Sequence, residues 1–445
     1  MSVKERAWTA TLNFAVQGKK RGALTAVDAV NCDCKDGVLR ASKRWRRLKK
    51  GNGAEDVCDV SNPRAIGYAR ALNTETQAYD TRMWILAENG DFYYRKDENS
   101  GFTLTLRGLE GADVFSMVAG DEPLLCLLAD GRCALMKGDG TVFETRLKHS
   151  CAGGAFFKHR LFVGVAPSDI VYSFPEMPSD FTEREHGGGR FRLSDGNGKI
   201  VAMKGFGEKL YLFFESALMV LDGAGAAQDF KVRPIPYAGG KIFGRSVVVG
   251  NKAMYFLATD GVYRFNGKQC ERLFFDRVKP PARETGLTAA AAAQGKVFIR
   301  YQTQENEAVT LLFYEDGDDC FYMDEMTAMS SEMGGMVVFI DENKYFCCLD
   351  ENGDLGAKGH FVGAETDFGI AGRKTVTKLR FFGEGEFTFT MKNGGRVLKR
   401  TVVFENGQAE VRMSERGESF VFDFALEKGA KIEKIVAQLR SQSKI

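Results

Sequence analysis

The chain repeats a unit of short apolar runs joined by turns rich in Gly, Asp and Asn. The unit is clearest between Lys199 and Gly267, which contain KIVAMKGFGEKLYLFFESALMVLDG and GRSVVVGNKAMYFLATDGVYRFNG. Leu210–Phe214 and Met254–Leu257 are uninterrupted apolar runs, and short runs of this kind between turns indicate strands covered on both faces. Asp260-Gly261 has the composition of a tight hairpin turn. Each stretch therefore predicts a blade-like unit of antiparallel strands.

Similar units recur along the chain at nearly regular intervals. Equivalent apolar positions lie 36 to 49 residues apart, and they are Trp84, Leu125, Leu161, Leu210, Met254, Val297 and Tyr345. A four-stranded propeller blade needs roughly 40–50 residues, and closure into a ring covers both faces of every blade. The pattern therefore predicts an all-β fold with a β-propeller of six or seven blades at residues 36–360. A series of unrelated hairpins in two or three sandwiches is the alternative.

The pattern changes at both ends of the chain. Lys374–Thr390 and Val397–Phe404 alternate apolar and polar residues, which predicts strands with one buried face. We therefore predict a small antiparallel β-sandwich as the C-terminal domain at 361–445, and an N-terminal leader or arm at 1–35. The strand predicted at Gly37–Ala41 is the candidate that completes the last blade. For the alanine-rich Thr285–Gln294 we favour a loop or an inner strand over a short helix.

The composition agrees with many short strands and turns. The 445 residues include 50 Gly but only 9 Pro, and their formal net charge of +2 does not indicate a nucleic-acid binder. The N-terminus lacks the apolar core of a signal peptide, and no apolar window reaches the ~20 residues that span a bilayer. We therefore expect the chain to fold in the cytoplasm. Because several of the ten cysteines lie in apolar strands, we expect free thiols and no disulfides.

No group of residues has the sequence spacing of a catalytic, cofactor or metal site. The histidines are isolated from one another, and they are His149, His159, His186 and His360. Cys32-Asp33-Cys34 lacks a second cysteine pair nearby, and the acidic clusters at 316–319 and 350–354 lack the full spacing of a calcium loop. We therefore expect no enzyme, no cofactor and no metal. A paired-carboxylate glycosidase stays open, because its two acids need only the right separation in space.

A dense basic stretch follows the first predicted strand. Its members are Lys43, Arg44, Trp45, Arg46, Arg47, Lys49 and Lys50. Lys and Arg discourage the pairing of exposed sheet edges, so a solvated hairpin edge is the simpler interpretation. The functional interpretation is a contact with DNA phosphates or with an acidic partner, with Trp45 available for packing.

Four parts of the chain resemble segments of one group of proteins. The segments are Ala29–Asn31 with Asp36–Arg40, His159–Gly164 with Ser173 and Pro178–Phe181, Gly207–Leu221, and Gly244–Ser246 with Asp260–Arg264. They resemble the β-propeller nozzle or tail-accessory proteins of short-tailed bacteriophages, which plug and extend the portal channel after DNA packaging. The first segment is similar to the extended arm and first strand of those proteins, and the others are similar to their blades. The resemblance spans most of residues 25–270.

The resemblance implies a structural virion protein of a tail, nozzle or head–tail connector, and no enzyme. It implies a ring of identical subunits, six-fold in such nozzles and hence a hexamer, in contact with portal-side adaptor and other tail proteins. It further implies non-specific contact with genomic DNA in the channel during retention and ejection, in a virion tail assembled in the host bacterial cytoplasm. The rival interpretation is a soluble β-propeller that acts as a binding module or as a glycan-acting enzyme.

Overall fold

A computed structural model gives the structure of the chain as an all-β fold, with a β-propeller followed by an antiparallel β-sandwich. The structure describes residues 4–15, 23–34, 37–41, 45–73, 78–119, 122–129, 131–147, 151–165, 168–183, 187–193, 195–223, 229–275, 277–317, 320–323, 326–330, 335–350 and 358–443. No helix in these ranges is long and apolar enough to cross a bilayer.

Five strands precede the first complete blade. They are β1 (Lys4–Ala15), β2 (Ala23–Val30), β3 (Cys32–Asp33), β4 (Leu39–Ala41) and β5 (Trp45–Arg47). As described below, the first four join the sandwich and the fifth joins the propeller.

Blades one to five are consecutive four-stranded antiparallel sheets. Blade one comprises β6 (Pro63–Asn73), β7 (Ala78–Ala87), β8 (Phe92–Arg95) and β9 (Thr103–Leu106). Blade two comprises β10 (Asp113–Ala119), β11 (Glu122–Ala129), β12 (Arg132–Lys137) and β13 (Val142–Arg146). Blade three comprises β14 (Cys151–Phe157), β15 (Arg160–Val165), β16 (Asp169–Tyr172) and β17 (Gly189–Phe191). Blade four comprises β18 (Ile200–Phe206), β19 (Lys209–Phe214), β20 (Leu218–Asp222) and β21 (Lys231–Ile235). Blade five comprises β22 (Val248–Val249), β23 (Met254–Ala258), β24 (Gly261–Phe265) and β25 (Cys270–Leu273).

Blades six and seven finish the ring. Blade six comprises β26 (Ala289–Ala293), β27 (Lys296–Gln302), β28 (Ala308–Tyr314) and β29 (Cys320–Met323). Blade seven comprises β30 (Met329–Ser330), β31 (Val338–Ile340), β32 (Phe346–Leu349) and β5. The first strands of successive blades contact one another, and β30 contacts β6, which closes the ring. The predicted propeller is confirmed with seven blades, and the alanine-rich segment is the inner strand β26.

The strand that closes blade seven is not the predicted one. Trp45 of β5 pairs with Leu349 of β32, whereas β4 pairs with β3 and with a strand of the sandwich. The prediction of Gly37–Ala41 as the closing strand is therefore wrong. The physical reason is packing, because the Trp45 indole fills the core between blades six and seven, while the Leu39 side chain is buried in the core of the sandwich.

The sandwich takes strands from both ends of the chain. Its C-terminal strands are β33 (Gly359–Gly363), β34 (Lys374–Glu384), β35 (Glu386–Asn393), β36 (Arg396–Val403), β37 (Gln408–Gly417), β38 (Val421–Leu426) and β39 (Lys431–Ser443). One layer runs β1-β39-β34-β37, and the other runs β2-β33-β38-β35-β36. β1 and β39 pair antiparallel from Lys4↔Ser443 to Leu12↔Ile435. The described part of the predicted leader is thus a structural part of the sandwich.

The two domains share a sheet. Val30, at the end of β2, pairs in parallel with Tyr322 of β29, the outermost strand of blade six. The Asn31 N–H extends this pairing with a 2.7 Å hydrogen bond to the Tyr322 carbonyl. The sandwich is therefore attached to the outer edge of one blade.

The cysteines pack as small apolar residues. All ten are free thiols, and most are buried in the cores between blades or in the sandwich. Burial raises the pKa of the Cys58 thiol to about 11 and that of the Cys270 thiol to about 12, so both stay protonated at neutral pH.

Candidate functional site: the central cavity and the closing strand

The basic stretch singled out in the sequence forms the closing strand of the ring. Trp45 is buried and packs edge-on against Phe339, with ring centroids 5.9 Å apart. The Arg46 Nε donates to Asp350 Oδ2 at 3.0 Å, and both side chains are partly exposed. A surface pair of this kind contributes about 0–1 kcal/mol. The Trp45 side chain is therefore part of the core and is not presented to solvent.

Arg47 is also engaged by its neighbours. Its Nη1 donates to Glu55 Oε2 at 2.9 Å, and its guanidinium carbon lies 3.7 Å from the centre of the Tyr345 ring. Stacking on an aromatic face and a carboxylate partner hold the side chain along the blade. The arginines that the structure describes in this stretch therefore fasten the closing strand to its neighbours.

The lysines differ from the arginines. Lys49 is exposed, and the Lys50 N–H donates to the Ala54 carbonyl at 2.8 Å in a turn. Lys43 and Arg44 lie outside the described residues. The contact of this stretch with DNA or with an acidic partner stays a prediction.

A buried ion pair reinforces the closure beside this strand. Both Nη atoms of Arg95, in blade one, donate to the Asp56 carboxylate at 2.7 Å. Asp56 also joins its main chain to blade seven, because the Phe346 N–H donates to the Asp56 carbonyl at 3.0 Å. The pair thus connects blades one and seven where the ring closes.

The other sequence candidates are dispersed. His159 Nδ1 lies 2.6 Å from Glu176 Oε1, and His360 Nε2 lies 2.9 Å from Asp423 Oδ1. His149 and His186 lie outside the described residues, as do parts of both acidic clusters. Among the residues that the structure describes, no group of three or more His, Cys, Asp or Glu side chains is arranged to hold a metal ion.

A cavity of about 570 Å³ lies at the centre of the ring, where the innermost strands begin. Its charged lining residues come from several blades and include Arg64, Asp113, Lys199, Glu215, Arg245 and Glu284. The remaining lining is largely apolar and includes Trp84, Val201 and Met329. The volume lies within the range of small-molecule sites, roughly 300–1,000 Å³.

Arg64 enters the cavity from the start of β6. Only 9% of the residue is exposed, and its Nη2 donates to the Ala112 carbonyl at 2.7 Å. Burial and, less strongly, the nearby charge of Arg245 lower the pKa of its guanidinium to about 10, while Asp113 and Glu88 act in the opposite direction. A buried guanidinium with a carbonyl partner is a costly feature, since a charge in low dielectric is normally paired.

Arg245 enters from the turn that precedes blade five. Gly244 places it there, because a Cβ on Gly244 would collide with the Val201 carbonyl oxygen. The Arg245 N–H donates to Glu284 Oε1 at 2.7 Å, and its Nη1 donates to the Thr285 carbonyl at 3.3 Å. Its side chain therefore lies along the segment that leads into blade six.

The cavity was missed by the sequence analysis, which noted Gly244-Arg245-Ser246 only as part of a blade. Arg64 and Arg245 are far apart in sequence, and neither lies in a motif. One sequence feature that indicates the cavity becomes visible once the blades are aligned. A charged residue lies within one residue of the start of the innermost strand in several blades, as in Arg64, Asp113 and Lys199.

Comparison with known proteins gives likeness only at the level of solved structures. No family model matches the chain, and no curated protein matches its sequence. A crystal structure of BBS1N in complex with ARL6DN, soaked with lead, is 10% identical with a TM-score of 0.46, over 70% of this chain and 98% of that one. The computationally designed Ika8 protein is 12% identical with a TM-score of 0.38, over 69% and 99%. A fungal alcohol oxidase of the AA5 family, in complex with copper, is 11% identical with a TM-score of 0.42, over 91% and 100%. Likeness this distant assigns no function to the chain.

Proposed function

We propose that this protein is a structural subunit of a bacteriophage tail or head–tail connector, of the nozzle or tail-accessory type. In this role it forms a ring of identical subunits, six-fold by the resemblance, that extends the portal channel and retains or passes DNA. The protein acts by assembly and carries out no reaction.

The observation that carries the proposal is the position of the arm that resembles phage propeller proteins. Val30 and Asn31 of that arm pair with Tyr322 in blade six, and Leu39 and Arg40 pair with Ile432 and Lys431 in the sandwich. The first of the four phage-like segments thus joins the two domains. This placement supports the proposal, because an arm retained for a structural role is expected at a structural junction.

The interleaving of the chain ends also suits a channel that resists force. β1 and β39 pair along most of their lengths. β5, which precedes blade one in the sequence, pairs with β32 of blade seven and so closes the propeller. Separating either domain requires breaking rows of backbone hydrogen bonds together rather than one contact at a time. Such a subunit would tolerate the pressure of packaged DNA.

DNA would pass between subunits rather than through a propeller. The central cavity of about 570 Å³ has the volume of a small-ligand site and is too small to hold a DNA duplex. The channel is therefore built from outer surfaces around the ring axis. A formal net charge of +2 suits a sleeve through which DNA slides, since each neutralised phosphate adds salt-dependent affinity.

The proposal is tested by the mass of the purified protein in solution. Light scattering is measured for the protein alone and after mixing with a portal–adaptor assembly of a short-tailed phage. We expect a hexamer, with six times the 49.2 kDa chain mass, or a monomer that joins the assembly in fixed stoichiometry. A strict monomer that ignores the assembly would contradict the tail role and favour a soluble binding module or a glycan-acting enzyme.

A further inference from the structure

We propose that the central cavity of the propeller binds a small organic anion, whose carboxylate or phosphate group is held between the guanidinium groups of Arg64 and Arg245. The inference goes beyond the tail role and does not depend on ring assembly.

The two arginines come from different blades and converge on the same two segments. Arg64 donates to the Ala112 carbonyl, and the Arg245 Nη2 lies 3.7 Å from where a Cβ on the adjacent Gly111 would be. On the other side, Arg245 donates to the Thr285 carbonyl, and the Arg64 Cδ lies 3.6 Å from where a Cβ on Gly286 would be. Both arginines therefore line the same part of the central cavity.

Neither guanidinium forms a direct ion pair with a residue that the structure describes. In the described part of the chain, no carboxylate lies within ion-pair distance of either guanidinium. Asp113 and Glu284, the acids beside them, accept backbone N–H groups of Gly154 and Arg245 instead. Two cations that approach each other in a partly desolvated site repel, and an anion between them reverses that repulsion.

The donors left over match an oxyanion. A guanidinium carries five N–H donors, and the hydrogen bonds above use one from each side chain. Planar forks of this kind bind carboxylate and phosphate oxygens in pairs, with charge-assisted hydrogen bonds. Arg64 is nine-tenths buried and hydrogen-bonded to the Ala112 carbonyl, so its side chain should lose little conformational entropy on binding.

The rest of the cavity indicates what else the ligand carries. Trp84, Val201 and Met329 give the wall an apolar part, and the volume of about 570 Å³ exceeds the needs of a bare inorganic ion. The site therefore fits a metabolite-sized molecule with one anionic group and an apolar body. The carboxylate and phosphate classes share this chemistry, and the experiment separates them.

The test is isothermal titration calorimetry of the purified full chain at low chloride, with benzoate and phenyl phosphate as separate probes. We expect saturable 1:1 binding of at least one probe. Binding of phenyl phosphate alone assigns the phosphate class, and binding of benzoate alone assigns the carboxylate class. Heats that do not saturate for either probe would overturn the proposal without any variant.

Variants locate the site. Arg245→Gln should weaken binding at least tenfold, since it removes a charge-assisted fork. Arg64→Lys keeps the charge but loses the fork, and should also weaken binding. The matched control is Arg233→Gln, an exposed arginine of blade four whose partner is Asp222, which should bind like the wild type. Equal affinity in wild type and both cavity variants, each shown to be folded by circular dichroism, would place the anion elsewhere and refute the assignment.

Discussion

The propeller and the sandwich are both built from antiparallel strands, yet they bury their strands differently. All five residues of β23 in the propeller, Met254–Ala258, are buried. In β37 of the sandwich, Gln408–Gly417, exposed and half-buried residues alternate along the whole strand. A closed ring covers both faces of a blade with its neighbours, whereas a two-layer sandwich covers only the inner face of each sheet. The number of faces that neighbouring sheets cover, more than the pairing of the strand, therefore decides where polar residues can occur in it.

The two domains also treat charge differently. In the propeller, the Arg95–Asp56 pair has side chains only 6% and 7% exposed. In the sandwich, Glu410 lies at the surface among three basic side chains, and hydrogen bonds from Lys378 and then Arg412 lower its pKa to about 2. Removing a partner from a buried pair leaves a desolvated charge, whereas a surface cluster is solvated and screened by salt. The loss of one charged partner should therefore destabilise the propeller more than the sandwich.

The largest difference in stability between the domains is expected when an aspartate is introduced into a strand of each. Phe256→Asp, in the fully buried strand β23, should leave no folded propeller, because a carboxylate would replace a side chain with 0% exposure. Val397→Asp, at a sandwich position that is 64% exposed, should change the free energy of unfolding by less than about 1 kcal/mol. Circular dichroism during thermal unfolding measures both. A cooperative transition for the Phe256 variant near the wild-type temperature would show that the blade is not closed on both faces.

The second-largest loss of stability is expected from substitutions where the ring closes. Asp56→Ala should cost roughly 3–5 kcal/mol, because it leaves the Arg95 guanidinium buried without its carboxylate. Asp350→Ala, which removes the exposed partner of Arg46, should cost about 0–1 kcal/mol. Urea denaturation gives both values.

A double variant sharpens the interpretation of this pair. Asp56→Ala combined with Arg95→Met should recover much of the lost stability, since it removes the stranded charge along with its partner. If the double variant were as unstable as Asp56→Ala alone, packing around the pair rather than charge would account for the loss.

The smallest effect is a dependence on alkaline pH that belongs to the propeller. All 13 tyrosines lie between Tyr68 and Tyr345, so the C-terminal strands of the sandwich have none. Burial raises the pKa of Tyr94, Tyr255 and Tyr322 to about 12, against ~10 in an unfolded chain. Because the folded protein holds these protons more tightly, its stability is full below pH ~10 and falls as the pH rises toward 12.

Tyr255→Phe is the variant that tests this dependence. The Tyr255 hydroxyl is buried and has no hydrogen-bond partner among the residues that the structure describes, so the substitution should leave stability at pH 8 nearly unchanged. It should reduce the loss between pH 10 and 12 by on the order of 1 kcal/mol. Urea denaturation across this range measures the slope. An unchanged slope would mean that Tyr255 does not titrate with unfolding.

Much of the architecture could be predicted from the sequence, because the pattern of residues in a short segment determines which faces of that segment must be buried. Contiguous runs such as Leu210–Phe214, bounded by turn residues, are typical of strands covered on both faces, and Asp260-Gly261 is typical of a tight turn, so the blades were predictable. The alternation in Lys374–Thr390 likewise requires one buried face, which predicted the sandwich. These features depend on neighbours in sequence, and the sequence therefore determined them.

The tertiary structure alone decided which distant segments meet. β4 and β5 are both short strands, and the fit of Trp45 beside Phe339, a contact across the fold, favours β5 as the strand that closes the ring. In the same way, nothing near Arg64 in the sequence indicates that Arg245 will reach the same cavity. Local patterns specify strands and turns, whereas closure, the joining of chain ends and the convergence of charges depend on long-range packing, which no short stretch of sequence encodes.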